Sequence, residues 1–159
     1  MAQKILSHIQ LQEERARLRA AGQKLVFTNG VFDILHVGHV RYLQGARTEG
    51  DALIVGVNSD ESVRRSKGAG RPLQPLAERM ELVAALEGVD LVTPFDEPTC
   101  DLLLELIHPD VHAKGPDYTP ESLPERATLE KLGIRLAIVG DPKDHSSSEL
   151  IEKLRKSAS

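Results

Sequence analysis

The 159 residues suffice for one domain with one hydrophobic core, and 40% of them are hydrophobic. A formal charge of -4 with both signs interspersed, no tryptophan, and only three Phe and two Tyr argue against broad nucleic-acid binding and against a base-stacking platform. The single cysteine, Cys100, excludes an intrachain disulfide framework and multi-cysteine metal clusters; with neither an apolar leader nor a membrane-length apolar run, a cytoplasmic protein that does not enter the membrane is expected. The segment from Ile5 to about Ala21 reads as an amphipathic helix with Ile5, Ile9, Leu11 and Leu18 on one side and Gly22 as its stop, so residues 1–22 form a leading element. Short apolar runs then alternate with helical stretches. Strands are expected at Leu25 to Phe27, Ala52 to Val57, Leu91 to Val92, Val111 to Lys114 and Ile134 to Val139. Helices are expected at Val37 to Glu49, Pro75 to Leu86, Thr99 to Ile107, Leu123 to Leu132 and Ser147 to Lys156. This alternation predicts an α/β fold in three layers, a parallel sheet of about five strands wrapped by helices, as a single domain over residues 1–159. Ligands of such folds bind beyond the carboxyl ends of the strands, where strand order reverses.

The segment Thr28-Asn29-Gly30-Val31-Phe32-Asp33-Ile34-Leu35-His36-Val37-Gly38-His39 leaves the first such strand and opens the next helix. A helix N-terminus there suits phosphate groups. His36 and His39 are three apart and share a helix face, and Gly38 between them has no Cβ to keep a nucleotide from the backbone. Two imidazoles that donate hydrogen bonds to phosphate oxygens fit a transition state that gathers charge, each such donor being worth about 2.7–4 kcal/mol. No side chain has to act as a covalent nucleophile if a substrate phosphate attacks in line.

At these residues the sequence resembles the cytidylyltransferase-like nucleotidyltransferases, whose signature is His-x-Gly-His at this place. The runs Phe27-Thr28-Asn29-Gly30, Phe32 to His36, Gly38 to Leu43, Val55 to Asp60, Ser62 to Arg65 and Lys67-Gly68 are similar to the heptose 1-phosphate adenylyltransferases, or ADP-heptose synthases. Gly70-Arg71-Pro72, Arg79, Lys114-Gly115 and Asp117 to Pro120 continue the likeness over nearly the whole chain. The resemblance implies a Rossmann-like nucleotidyltransferase fold and a stand-alone transferase without the sugar kinase domain that many relatives carry. It implies that Thr28, Asn29, Gly30 and Phe32 cradle the triphosphate and that Asp33 lies near the metal or the acceptor. It also implies that His36 and His39 stabilise the α-phosphate, with Mg²⁺ carried on the nucleotide.

Further candidates stand in other loops. Lys67 lies in the basic, glycine-bearing stretch Arg64 to Pro72, read as a loop able to close over phosphates, with Arg71 and Arg79 as weaker candidates for substrate contact. Arg79 has the alternative of a surface pair with Glu78 or Glu81, and Asp60 is either a helix cap or an acceptor contact. Lys114 and Gly115 offer a cation and a turn to the nucleotide, although Pro116 removes an N–H where relatives usually carry glycine. Ser146, Ser147 and Ser148 open the last helix as a phosphate-binding run, preceded by His145 where relatives often carry Arg or an aromatic. Val31 stands where many relatives have Cys and is read as a packing exchange, while His8, His108, His112 and Cys100 are read as structural.

The expected partners are ATP, or CTP, and a sugar phosphate, with no nucleic acid and no membrane; oligomeric state stays open, a homodimer being one option and the leading helix its candidate contact. The resemblance favours AMP transfer from ATP to D-glycero-manno-heptose 1-phosphate, giving a nucleotide-sugar and pyrophosphate. A cytidylyltransferase acting on glycerol 3-phosphate or another alditol phosphate is the alternative within the same chemistry. A non-catalytic nucleotide-binding sensor is the alternative of another class.

Overall fold

The computed structural model describes residues 3–142 and 146–158. In chain order they form α1 (His8–Ala20), β1 (Leu25–Gly30), α2 (Val37–Arg47), β2 (Ala52–Asn58), α3 (Asp60–Lys67) and α4 (Leu76–Ala84). The chain continues through β3 (Leu91–Phe95), α5 (Asp101–Ile107), β4 (Val111–Lys114), α6 (Arg126–Leu132), β5 (Arg135–Ile138) and α7 (Ser147–Ala158). The five strands are all parallel, in the order β3-β2-β1-β4-β5.

The side-chain period of two builds the layers. Leu25 and Phe27 of β1, with Ala52 and Ile54 of β2, face a core made with α1, α5 and α6 through Leu11, Leu18, Leu104 and Leu129. Val26 of β1, with Leu53 and Val55 of β2, faces the opposite core, closed by Leu43 and Ala46 of α2 and Val83 of α4. β2 is therefore buried on both faces, which explains its unbroken apolar run from Ala52 to Val57. The chain steps outward from β1 to β3 and returns to place β4 on the other side of β1. Strand order reverses there, and the loops after β1 and β4 diverge to leave a crevice above their carboxyl ends.

β1 runs on to Gly30, β3 runs on to Phe95 and α6 starts at Arg126 rather than Leu123, and two further elements differ more from the sequence expectation. The leading helix starts at His8 rather than Ile5, because Ser7 caps it: Ser7 Oγ accepts from Gln10 N, and the Gln10 side chain accepts from Ser7 N. The residues before it line the edge of β3, with Val92 N donating to Lys4 O and Leu6 N to Val92 O, both at 2.9 Å. Ile9, expected on the apolar side, is 71% exposed, while Leu11 and Leu18 are buried. The second difference is α3. The basic stretch read as a loop is helical up to Lys67 and ends at Gly68, whose φ of 97° suits glycine. Its cap is Ser59, whose Oγ accepts from Ser62 N at 3.1 Å, so Asp60 is a first-turn residue and not the cap. Among the described residues no helix is long and apolar enough to cross a membrane.

Candidate active site

A cavity of about 490 Å³ opens above the carboxyl ends of β1, β4 and β5. Its first wall is the turn between β1 and α2. Gly30 is required there, since a Cβ would sit 2.9 Å from the Phe32 ring. Phe32 and Ile34 take left-handed φ values of 53° and 62°, a costly conformation for such side chains that is typical of functional turns. Asp33, fully buried, holds the next loop: Oδ1 accepts from Gln74 N at 3.0 Å, and Oδ2 accepts from Leu73 N at 2.9 Å and Arg71 Nε at 2.8 Å. Burial works against the Asp33 charge, but the amides of Leu73 and Gln74 and then the Arg71 guanidinium outweigh it and hold the carboxyl below the usual carboxylate range.

The start of α2 orients both imidazoles. His36 is the cap residue, and its Nδ1 accepts from Gly38 N at 3.1 Å; His39 Nδ1 accepts from His36 N at 3.2 Å. A ring nitrogen that accepts carries no proton, so in each neutral ring the proton sits on Nε2. The rings lie 3.9 Å apart between centroids, and both line the cavity. Burial lowers the His39 pKa to about 4, with the charges of His36 and Lys67 acting in the same direction. His39 is thus neutral at pH 7 and offers an Nε2–H donor.

The start of α7 forms the facing wall. Ser146, Ser147 and Ser148 all line the cavity. Ser146 Oγ caps the helix by accepting from Glu149 N at 3.1 Å, and Ser147 Oγ donates to Ile34 O at 2.9 Å, tying α7 to the histidine turn. His145 lies outside the described residues. Lys67 at the end of α3 and Arg71 also line the cavity, and Arg71 Nη2 is buried with no hydrogen-bond partner among the described residues. On the floor, Lys114 Nζ donates to Asn29 Oδ1 at 3.2 Å and lies 4.4 Å from the centre of the Tyr118 ring. Gly115 and Pro116 continue this wall, so the missing N–H of Pro116 falls at the cavity itself.

Three residues singled out in the sequence do not reach the cavity. Thr28 is fully buried and spends its hydroxyl on Tyr42 and on the Ala113 carbonyl, which joins β1, α2 and β4. Arg79 is not a surface residue paired with Glu78 or Glu81: it is 0% exposed. It donates to the carbonyls of Val31 and Asn58 at 2.7 Å, to that of Gln74 at 3.0 Å, and to Asp60 Oδ1 at 2.7 Å. Arg79 and Asp60 thus bolt together the loops that form the site. Conversely, Thr99, Glu125, Gly140 and Asp141 line the cavity and went unnoticed in the sequence. Gly140 and Asp141 follow a strand end, the signal that found Lys114; Glu125 gives no local signal.

A sequence model described as Cytidylyltransferase-like matches residues 27–153. The chain belongs to the cytidylyltransferase-like family. The curated proteins to which this chain is similar include several named Bifunctional protein HldE. The one from Geotalea uraniireducens is 53% identical over 137 residues, 86% of this chain and 28% of the relative. The one from Alcanivorax borkumensis is 44% identical over 152 residues, 96% of this chain and 32% of the relative. The chain therefore spans about a third of the length of these relatives. Among solved structures, a lipopolysaccharide core biosynthesis protein from Thermoplasma volcanium shares 32% identity at a TM-score of 0.63, covering 74% of this chain and 95% of that one. A pantoate-beta-alanine ligase from Francisella tularensis, 17% identical at a TM-score of 0.64 over 98% of this chain and 77% of its own, shares the fold.

Proposed function

We propose that this member of the cytidylyltransferase-like family transfers AMP from ATP to a sugar 1-phosphate, with D-glycero-manno-heptose 1-phosphate as the acceptor, and releases pyrophosphate. The observation that carries the chemistry is the close pair His36 and His39, both lining the cavity with rings 3.9 Å apart, each with Nδ1 accepting from a backbone N–H, which puts the proton of the neutral ring on Nε2. The choice of ATP and heptose rests on the runs shared with heptose 1-phosphate adenylyltransferases and on identities of 44% and 53% to proteins named HldE.

In this reading the triphosphate lies between the histidines and the start of α7. An oxygen of the acceptor phosphate attacks the α-phosphorus in line, the bond from the α-phosphorus to the bridging oxygen breaks, and pyrophosphate leaves toward Ser146 to Ser148. The two Nε2–H groups hold α-phosphate oxygens as charge gathers there. Lys67 and Arg71, whose Nη2 has no partner among the described residues, meet the remaining phosphate charge. Mg²⁺ bound with the nucleotide would supply further charge neutralisation at the phosphates. Mg²⁺ commonly keeps phosphate and water ligands, and in this reading it is carried on the nucleotide. The Asp33 carboxylate is committed to the 71–74 loop, and its contribution is to hold that loop over the site. The same reading places the protein in the cytoplasm.

The test is pyrophosphate release with Mg²⁺ across ATP, CTP, GTP and UTP against heptose 1-phosphate, mannose 1-phosphate and glycerol 3-phosphate. Fastest turnover with ATP and heptose 1-phosphate is expected. Turnover confined to CTP and glycerol 3-phosphate would move the assignment to alditol phosphates, and nucleotide binding without any turnover would make the chain a sensor.

A further inference from the structure

The cavity holds a second polar cluster, supplied by α5, the start of α6 and the ends of β1 and β4, that the phosphate-handling groups leave unused. Glu125, immediately before α6, is 3% exposed and lines the cavity together with Thr99 and Asn29. Its Oε1 accepts from Cys100 N and from Cys100 Sγ, both at 3.3 Å. Burial, and then the charge of Glu125, push the Cys100 thiol up, so it stays a donor. Oε2 of Glu125 is buried and has no partner among the described residues. A buried carboxylate oxygen without a donor is costly, and the native chain carries it at the wall of its principal cavity.

The neighbours define what is missing. Asn29 Oδ1 accepts from Lys114 Nζ at 3.2 Å and lies 3.3 Å from His112 Nε2, which fixes the amide. Lys114, 5% exposed, is hydrogen-bonded to this amide and forms no ion pair with a carboxylate among the described residues, so its charge is available to an anion. Cys100 Sγ lies 3.3 Å from Glu125 Oε1 and 3.6 Å from Asn29 Oδ1, and Lys114 Nζ lies 3.2 Å from that same Oδ1, which places the cation and the carboxylate in one neighbourhood. A ligand with an ammonium group would be opposed by Lys114; one with an anionic end and a neutral donor satisfies both groups.

We propose that Glu125, with Asn29 and Lys114, reads the acceptor: Lys114 attracts its phosphate, and Glu125 Oε2 accepts a hydrogen bond from one of its hydroxyl groups, which selects polyhydroxylated phosphate esters. This rests on the nucleotidyl-transfer reading above. It makes Glu125 a specificity-determining residue.

The experiment compares wild type with Glu125→Gln, which keeps an oxygen toward Cys100 and puts an NH₂ donor where Oε2 stood. With ATP and heptose 1-phosphate or mannose 1-phosphate, the variant should lose about 10- to 100-fold in kcat/KM, the cost of one hydrogen bond to a charged group, with the KM for ATP unchanged. Wild type alone supplies an independent arm that needs no altered protein: among singly deoxygenated mannose 1-phosphates, one position should cost about tenfold or more. That penalty should vanish in the variant. Turnover by wild type with an unaffected variant and a flat deoxy series overturns the acceptor role while leaving the transferase assignment intact. A change confined to the KM for ATP assigns Glu125 to the base and also overturns it. Failure of wild type to release pyrophosphate with any acceptor overturns the transferase assignment instead. Calorimetry of mannose 1-phosphate with a non-hydrolysable ATP analogue then decides the subsite: binding weakened about tenfold in the variant supports it, and equal or absent binding overturns it.

Discussion

At the scale of single residues, the site turns on two hydrogen bonds that point away from the substrate. The amides of Gly38 and His36 occupy Nδ1 of His36 and His39, and so fix the tautomer in which Nε2 donates. Replacing either histidine by alanine should lower turnover by roughly 10²-fold or more, read as pyrophosphate release. The titration of His39 gives a second expectation. Its pKa is about 4, held down first by burial. Bound phosphate charge favours the imidazolium and raises that value, so nucleotide binding at about pH 5.5 should take up protons, and binding at about pH 8 should not. Calorimetry in buffers of different ionisation enthalpy measures this directly, and the uptake should disappear in His39→Gln. Buffer-independent heats at the lower pH would separate His39 from the phosphates. These residues were legible because the motif is local: one turn and one helix start carry it. Glu125 was not, since its significance depends on Cys100 and Asn29, 25 and 96 positions away, which tertiary contacts bring together beneath the cavity wall.

At the scale of elements, the loops over the sheet are held by buried charges, and these separate support from contact. Arg79 joins the turn after β1, the end of β2, the start of α3 and the approach to α4. Arg79→Met keeps much of the volume but strands three carbonyls and the Asp60 carboxylate. It should cost roughly 3–5 kcal/mol in urea unfolding, the range for breaking a buried pair on one side. A substrate contact would raise KM at unchanged stability, and that result would refute the supporting role. Asp33 does the same for residues 71–74. Asp33→Ala should release that loop and speed tryptic cleavage after Lys67, with ATP protecting less than in wild type. The strands were legible because β1 and β2 are apolar on both faces and bounded by glycine and polar turns. α3 was hidden because Arg64-Arg65-Ser66-Lys67 reads as a solvated run, and the element presents only Ser62 and Val63 to the interior. Family resemblance is what points to Thr28 and Arg79 as site residues, whereas tertiary contacts draw them into the scaffold beneath the cavity.

At the scale of the whole molecule, the same burial that tunes the site makes the fold sensitive to acid. His112 lies in the middle of the sheet, fully buried against Phe27, Asn29, Cys100 and the Lys114 charge, with Nδ1 unpaired among the described residues. Burial, aided by Lys114, lowers its pKa to about 3. For both His112 and His39 the folded value is below the ordinary one near 6.5, so between that pH and the folded pKa the unfolded chain binds more protons. Stability therefore rises with pH across this window and is lost as pH falls through it, by up to about 1.4 kcal/mol per pH unit for each histidine. Asp33 and Asp110, both held below the usual carboxylate range, add to the loss only below about pH 4, as the unfolded carboxylates take up protons first. Urea unfolding at a series of pH values should show a plateau above about pH 7, a decline that begins near pH 6.5 and a steeper one below pH 4. His112→Gln supplies an amide in place of the titrating ring and should flatten the decline between about pH 6 and 4 by close to half, because His39 still titrates. An unchanged slope in that variant would mean that His112 stays neutral in the unfolded chain or charged in the folded one, and the buried cluster beneath Asn29 would have to be ionised.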